Sequence, residues 1–313
     1  MIPVQVLRKT HEATDIVSLV LARADGAPLP AVRAGAHVDV QVPGGATRQY
    51  SLCGDPGATG HYRIAVLRDP ASRGGSIALH PAVREGDSLL IGEPRNLFAL
   101  VPARRSLLFA GGIGVTPLLA MARELAIEGA DFTLHYCTRS LERTAFRDEL
   151  LASEHAHRVR FHHDDGAVEQ RLDAAAALGE PRPDTHVYVC GPSGFIDWIT
   201  VTAARIGWPA NQVHVEHFSS AAGAAGAFQV KLASSGAIID VPADQSVVAA
   251  LRDHGIDIPV SCEQGVCGTC VTRVLEGECD HRDQYLTEDE KAAHDQFTPC
   301  CSRARGSLLV LDV

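Results

Sequence analysis

The segment Ser261-Cys262-Glu263-Gln264-Gly265-Val266-Cys267-Gly268-Thr269-Cys270, with Cys300 further along, decides how the C-terminal part of this chain folds. Three cysteines spaced C-x4-C-x2-C, followed by a distant fourth, match the ligand pattern of a plant-type 2Fe-2S cluster. Gly265 and Gly268 let the loop turn its amides towards bridging sulfides. Four thiolates also suit zinc, but structural zinc sites usually present paired C-x2-C hooks, whereas this loop concentrates three ligands. Cys300 and Cys301 are adjacent. The 29 residues between Cys270 and Cys300 form the plant-type interval, which makes Cys300 the fourth ligand and Cys301 a small buried hydrophobe. A shift of one residue stays open.

At 313 residues the chain is long enough for two or three domains, each with its own core. It has no apolar run of about 18 residues, the length needed to cross a bilayer. The start, Met1-Ile2-Pro3-Val4-Gln5-Val6, lacks the basic and apolar regions of a signal peptide, so a cytoplasmic protein is expected. Nine cysteines in such a setting argue for metal or redox use rather than disulfides. A net charge of −10 with only three lysines disfavours nucleic acid and anionic membrane as partners. It suits docking to a basic protein; the acidic run from Glu276 to Glu290 reads as a solvated face before it reads as the docking surface.

Residues 1–102 read as short strands between Gly/Pro turns: Gln5–Arg8, Thr14–Ala22, His37–Val42, Tyr50–Leu52, Tyr62–Leu67 and Ser88–Ile91. That pattern predicts an antiparallel β-barrel. Arg48 can pair a phosphate, Tyr50 offers a face to a flat ring and Ser51 can hydrogen-bond a ring heteroatom. Taken alone, R-x-Y-S is also an ordinary exposed strand. Gly74-Gly75-Ser76 before Ile77-Ala78-Leu79 resembles amides opening a helix, which is either a phosphate seat or a plain N-cap.

Residues 103–218 change texture. A strand at Ser106–Ala110 runs into Gly111-Gly112-Ile113-Gly114-Val115-Thr116, and a helix follows from Pro117 until Gly129. The turn is G-x-G-x-x-P rather than the full dinucleotide fingerprint G-x-G-x-x-G. Strands at Phe132–Cys137, Val159–His162 and His186–Val189 alternate with helices at Thr144–Ser153, Asp173–Leu178 and Ser193–Ile206, which predicts an α/β domain with a parallel sheet. Cys190-Gly191-Pro192 ends the last of these strands, where such sheets bind ligands. After the second strand comes Thr138-Arg139-Ser140 instead of an acidic residue for a ribose. Arg139 and Arg143 would welcome a 2′-phosphate, so coenzyme choice stays open with NADH ahead. His162-His163-Asp164-Asp165 reads as a solvated turn before it reads as a metal site.

Residues 219–227 are composed as a flexible linker. Residues 228–313 read as a hairpin (Gln229–Ala233, Ile238–Val241), a helix at Ser246–His254, the cysteine loop, and strands at Val271–Leu275 and Leu308–Leu311. One helix on a small sheet wrapped round the cysteine loop is an α+β arrangement.

These segments together resemble the phthalate dioxygenase reductase family, in its vanillate demethylase reductase-subunit branch. The resemblance runs the full length in the order flavin barrel, nicotinamide domain, plant-type ferredoxin, and it implies that the last is a β-grasp. It implies that Arg48, Tyr50, Ser51, Leu52, Ala65 and Val66 hold FMN, with Gly74, Gly75 and Ser76 at its phosphate. Gly112, Gly114, Thr116, Cys190, Gly191 and Pro192 would then serve NADH, and Phe218 would cover the flavin. Ser51, Thr116, Cys190 and Phe218 would border the hydride-transfer site, and Cys262, Cys267, Cys270 and Cys300 would ligate the cluster. The implied partner is a Rieske-type terminal oxygenase acting on a small, often aromatic substrate by hydroxylation or O-demethylation. A self-sufficient flavin oxygenase and a zinc-stabilised binding module are the other classes; neither accounts for all three segments.

Overall fold

The computed structural model describes residues 1–43, 47–68, 75–218, 226–243, 245–260, 263, 265, 268–283 and 285–313, the side chains of 75–78 excepted. The chain divides into two compact units, Met1–His217 and Phe218–Val313.

The first unit opens with β1 (Ile2–Ala13), β2 (Ile16–Ala22), β3 (Ala36–Gln41), β4 (Thr47–Ser51), β5 (Tyr62–Leu67), helix α1 (Gly75–Ala82), β6 (Ser88–Ile91) and β7 (Arg95–Asn96). Their order is β4-β3-β6-β1-β2-β5, with β7 beside β3 and every pairing antiparallel. A bridge between Leu52 and Ile64 joins the two ends and closes the barrel. Alternation places Ile2, Val4 and Val6 in a core shared with Leu19, Val38, Val40, Ile64 and Ile91. Each such side chain stabilises the barrel by roughly 1.5–3 kcal/mol. The first strand is longer than its sequence suggests, because Lys9, Thr10 and His11 continue to pair with β2 although no apolar alternation marks them.

The second sheet is built from β8 (Arg105–Gly111), α2 (Val115–Ile127), β9 (Asp131–Thr138), α3 (Arg147–Ala152), β10 (Val159–His163), α4 (Ala174–Leu178), β11 (Thr185–Gly191), α5 (Ser193–Arg205) and β12 (Val213–His217). Its order is β10-β9-β8-β11-β12, all parallel. The chain runs outward from β8 to β10, then crosses back to β11. The strands flanking that reversal are β8 and β11, and their carboxyl ends frame the crevice where open α/β sheets bind ligands. The edge strand β12 goes beyond the strands expected from the sequence: Val213-His214-Val215-Glu216-His217 is half-buried throughout and lacks a continuous apolar run.

Helix α2 is buried almost all round, because it lies between its sheet and the barrel. The buried Glu124 carboxylate accepts the Ala34 backbone N–H at 2.7 Å and Arg33 Nε at 2.6 Å. This charge-assisted clamp fixes the glycine turn preceding α2 relative to the barrel.

The second unit contains β13 (Phe228–Leu232), β14 (Ile238–Val241), α6 (Val247–Asp253), β15 (Thr272–Glu276), β16 (Cys279–Asp280), α7 (Glu288–Ala293), β17 (Gln296–Phe297), β18 (Arg303–Ala304) and β19 (Leu308–Leu311). The sheet order is β14-β13-β19-β15-β17, with β13 and β19 parallel at its centre. Helix α6, capped by Ser246, buries Val247, Val248 and Leu251 against Val230, Val241 and Leu309. This is the expected β-grasp, with one correction: the described residues form two helices, not one. The second, α7, starts at a capping box in which the Thr287 hydroxyl accepts the Glu290 N–H while the Glu290 carboxylate accepts the Thr287 N–H. Among the described residues, no helix is long and apolar enough to cross a membrane.

Candidate functional site

Two turns meet at the crevice, and both are made of glycine for a measurable reason. A Cβ on Gly114 would stand 2.3 Å from the Cys190 carbonyl oxygen, and one on Gly191 would stand 2.9 Å from the Gly111 Cα. The turns therefore pack backbone against backbone. Gly112 differs: its φ is +53° and a Cβ there would meet nothing within 4 Å, so it opens the turn towards free space. Helices α2 and α5, each 13 residues long, begin at these turns, and their first amides favour a diphosphate there.

A polar cluster spans the same crevice. The Ser51 hydroxyl, at the end of β4, donates to Glu216 Oε2 at 3.3 Å, and the Cys190 thiol approaches the same oxygen at 3.9 Å. Desolvation pushes the Glu216 carboxyl up to about 8, against hydrogen bonds from Ser51 and Cys190 that act the other way. Burial, reinforced by Glu216, holds the Cys190 thiol well above its ordinary value. At neutral pH the cluster is thus uncharged and rich in protons. Glu216 does not stand out in the sequence; its only signal is its position at the end of a strand that no apolar run announces.

Thr116 is buried, and its hydroxyl donates to the Ile113 carbonyl at 3.1 Å, which braces the glycine turn. Arg48 and Tyr50 pair with Val40 and Val38, so they share one side of the sheet. Arg48 donates to the Thr47 carbonyl, and Tyr50 packs on the barrel core, where burial raises its phenol to about 12. Leu52 and Val66 lie in the barrel core and Ala65 is buried beside them, while His80 Nε2 lies 3.0 Å from the Val66 carbonyl. Gly75 and Ser76 open α1, and Gly74 lies outside the described residues. Pro192 is the N-cap of α5. Phe218 is half-buried and follows β12 directly. His162 and His163 make sheet contacts, to His135 Nδ1 at 3.0 Å and to Thr138 Oγ1 at 3.0 Å.

In the second unit, Cys262 and Cys267 lie outside the described residues. Cys270 and Cys300 are buried, and their thiols are within hydrogen-bonding reach; that contact, with a second from Cys301, raises the Cys300 thiol far above its ordinary value. The contact with Cys300 lowers the Cys301 thiol, so the crowded sulfurs share protons unevenly, as a set of metal-binding thiols does before its protons are displaced. Gly265 and Gly268 have φ of +77° and +70°, and a Cβ would meet Cys301 Sγ at 2.4 Å in the first case and the Tyr285 ring at 2.2 Å in the second. The cradle admits only glycine at both. Cys301 Sγ lies 3.2 Å from Thr298 Oγ1 and is buried.

Residues 230–305 match the 2Fe-2S iron-sulfur cluster binding domain family and residues 108–200 match the oxidoreductase NAD-binding domain family. The chain is 55% identical over 305 residues to vanillate O-demethylase oxidoreductase of a Pseudomonas species, covering 96% of each. It is 43% identical to phthalate dioxygenase reductase of Burkholderia cepacia, covering 99% of this chain and 96% of that one. The chain belongs to the phthalate dioxygenase reductase family. A solved phthalate dioxygenase reductase, described as a modular structure for electron transfer from pyridine nucleotides to 2Fe-2S, superposes with a TM-score of 0.83 at 42% identity, covering 100% and 98% of the two chains. Family membership makes this chain an oxidoreductase built from a barrel, a parallel-sheet NAD-binding domain and a 2Fe-2S domain.

Proposed function

We propose that this chain is the reductase of a two-component oxygenase, carrying electrons from NADH through FMN and a 2Fe-2S cluster to a Rieske-type partner. In this reading residues 1–102 hold FMN, 103–218 hold NADH, 219–227 link, and 228–313 hold the cluster through Cys262, Cys267, Cys270 and Cys300. Bound FMN would accept one hydride, with its two electrons, and release the electrons singly, matching a two-electron donor to a one-electron cluster. The protein's own task is positioning. Arg48 and Tyr50 present a cation and an aromatic face from one side of β4, Gly112 and the helix starts receive the diphosphate, and Thr116 stiffens that turn. Ser51, Cys190 and Glu216 line the crevice with neutral hydrogen-bonding groups, which a ring that gains and loses a proton needs.

The carrying observation is the meeting of Ser51, from the barrel, with Cys190 and Glu216, from the parallel sheet, within 3.3–3.9 Å. Preference for NADH is supported by Arg143, whose guanidinium lies 3.7 Å from Asp15 and is thereby partly neutralised towards a 2′-phosphate. The test is anaerobic stopped flow on the purified protein, with chromatography of its heat-released flavin. NADH should bleach the flavin, the cluster should follow, and a Rieske oxygenase should then be reduced. FAD as the released flavin would overturn the FMN assignment, and turnover of an aromatic substrate without a partner would overturn the two-component reading.

A further inference from the structure

Outside the four-cysteine loop, the second unit brings together Cys279, His281 and His294, one ligand atom of each lying within 4.8 Å of the others. Cys279 begins β16, His281 follows that strand, and His294 caps α7 in the left-handed conformation with φ of 53°. The two imidazoles stack with centroids 5.5 Å apart and planes 22° from parallel, so their edges face the same way. Cys279 is fully buried, and the His281 side chain is 5% exposed. Among the described residues, His281 Nε2 has no hydrogen-bond partner, and Nδ1 has only a long contact to a carboxylate. A buried imidazole nitrogen left over in this way calls for a ligand.

What faces His281 explains its orientation. Its Nδ1 points at Asp283 Oδ1 across 3.5 Å, and that carboxylate is itself held by the Leu286 N–H at 2.8 Å, the Tyr285 N–H at 3.2 Å and the Ser302 hydroxyl at 3.3 Å. A fixed carboxylate behind one nitrogen of an imidazole is the arrangement that aims the other nitrogen at a metal ion. His294 Nδ1 accepts the Cys279 backbone N–H at 3.1 Å, which locks the third donor beside the thiol.

We propose that Cys279, His281 and His294 form a binding site for a divalent transition-metal ion, separate from the cluster ligands. One thiolate and two imidazoles select a borderline-soft ion, and Zn²⁺ with water in the fourth position fits that set. A tetrahedral zinc holds its donors roughly 3.3–3.7 Å apart, so side-chain rotations of about an ångström complete the site. On binding, the Cys279 S–H bond breaks, a Zn–S bond forms and the proton leaves to solvent, while the His294 lone pair passes from the Cys279 amide to the metal. Asp283 stays behind His281. No redox change is involved, and the bound ion would staple the β16 strand to the end of α7.

The test uses the full-length holoprotein with iron and sulfide each at two per chain, so that the cluster loop is filled. After dialysis against buffered Zn²⁺, elemental analysis should find one zinc per chain, bound more tightly than about 1 µM. X-ray absorption at the zinc edge should show one sulfur and two or three nitrogen or oxygen neighbours. Cys279→Ser and His294→Asn should each weaken zinc more than about tenfold while iron content is unchanged. Asparagine tolerates the left-handed cap and can still accept the Cys279 amide, so loss of zinc there is not loss of fold. No stoichiometric zinc, an all-sulfur shell, or uptake indifferent to both variants would overturn the site.

Discussion

Glu216 is a carboxylic acid kept neutral by its surroundings, and its effect on stability has a definite sign. Its folded value of about 8 lies above the ordinary 4.5, so its stabilising contribution is complete below pH 4.5 and lost as pH rises through 8. Glu216→Gln is neutral at every pH. The difference in thermal midpoint between parent and variant should therefore move in favour of the variant from pH 5 to 9, and parallel curves would show that the carboxyl is already ionised. Gly114→Ala tests the other side of the crevice: a methyl group 2.3 Å from the Cys190 carbonyl must push the two turns apart, at a cost of about 1–3 kcal/mol or more. Nicotinamide nucleotide affinity, measured by calorimetry, should fall with it. Much at this scale is legible in the sequence. Gly112, Gly114 and Cys190-Gly191-Pro192 announce themselves by residue type at strand ends, and Gly265 and Gly268 by their place in the cysteine loop. Glu216 is not legible, because a lone carboxylate acquires its character only from Ser51 and Cys190, which are 165 and 26 residues away.

Among the elements, period and punctuation locate β5, β6, β14 and β19 to the residue, and the glycine-ended α2 within two residues at its start. The misses have two physical causes. Strand β12 and the outer half of β1 are held by backbone pairing to a neighbour, not by an apolar face of their own. Helix α7 hides in an acidic run, although Thr287-Glu288-Asp289-Glu290 carries its capping signal in plain view. Thr287→Ala removes that cap and should cost about 0.5–2 kcal/mol, read as faster amide exchange in 288–293 with little change in β13 or β19. Uniform acceleration across the unit would mean that α7 and the sheet open together.

For the whole molecule, the acidic run that reads in the sequence as a solvated face or a docking surface resolves into two populations. Asp283 is buried, Asp280 pairs with Arg282 at 2.7 Å, Glu288 with Lys291 at 3.0 Å, and Glu290 belongs to the capping box. Glu276, Glu278 and Asp289 are exposed and make no ion pair among the described residues. If these steer a basic oxygenase, charge reversal at Glu276 and Glu278 should slow electron delivery at low salt, and the difference should shrink as screening approaches its reach of about 8 Å at physiological ionic strength. Equal rates at low salt would remove them from the docking surface. Cys300→Ser addresses the route itself: flavin reduction by NADH should continue near the parent rate while the oxygenase stays oxidised. Delivery at the parent rate would place the exit at the flavin. Sheet order also bears on how the chain is made. Strand β12 is the final piece of the first unit and, among the described residues, pairs only with β11. On a ribosome releasing about 5–20 residues per second, the outer edge of β11 stands bare until His217 has emerged. Until that moment the nascent protein offers an open parallel edge to any neighbouring chain, so synthesis stalled just short of Val213 would turn an intermediate into an aggregation hazard.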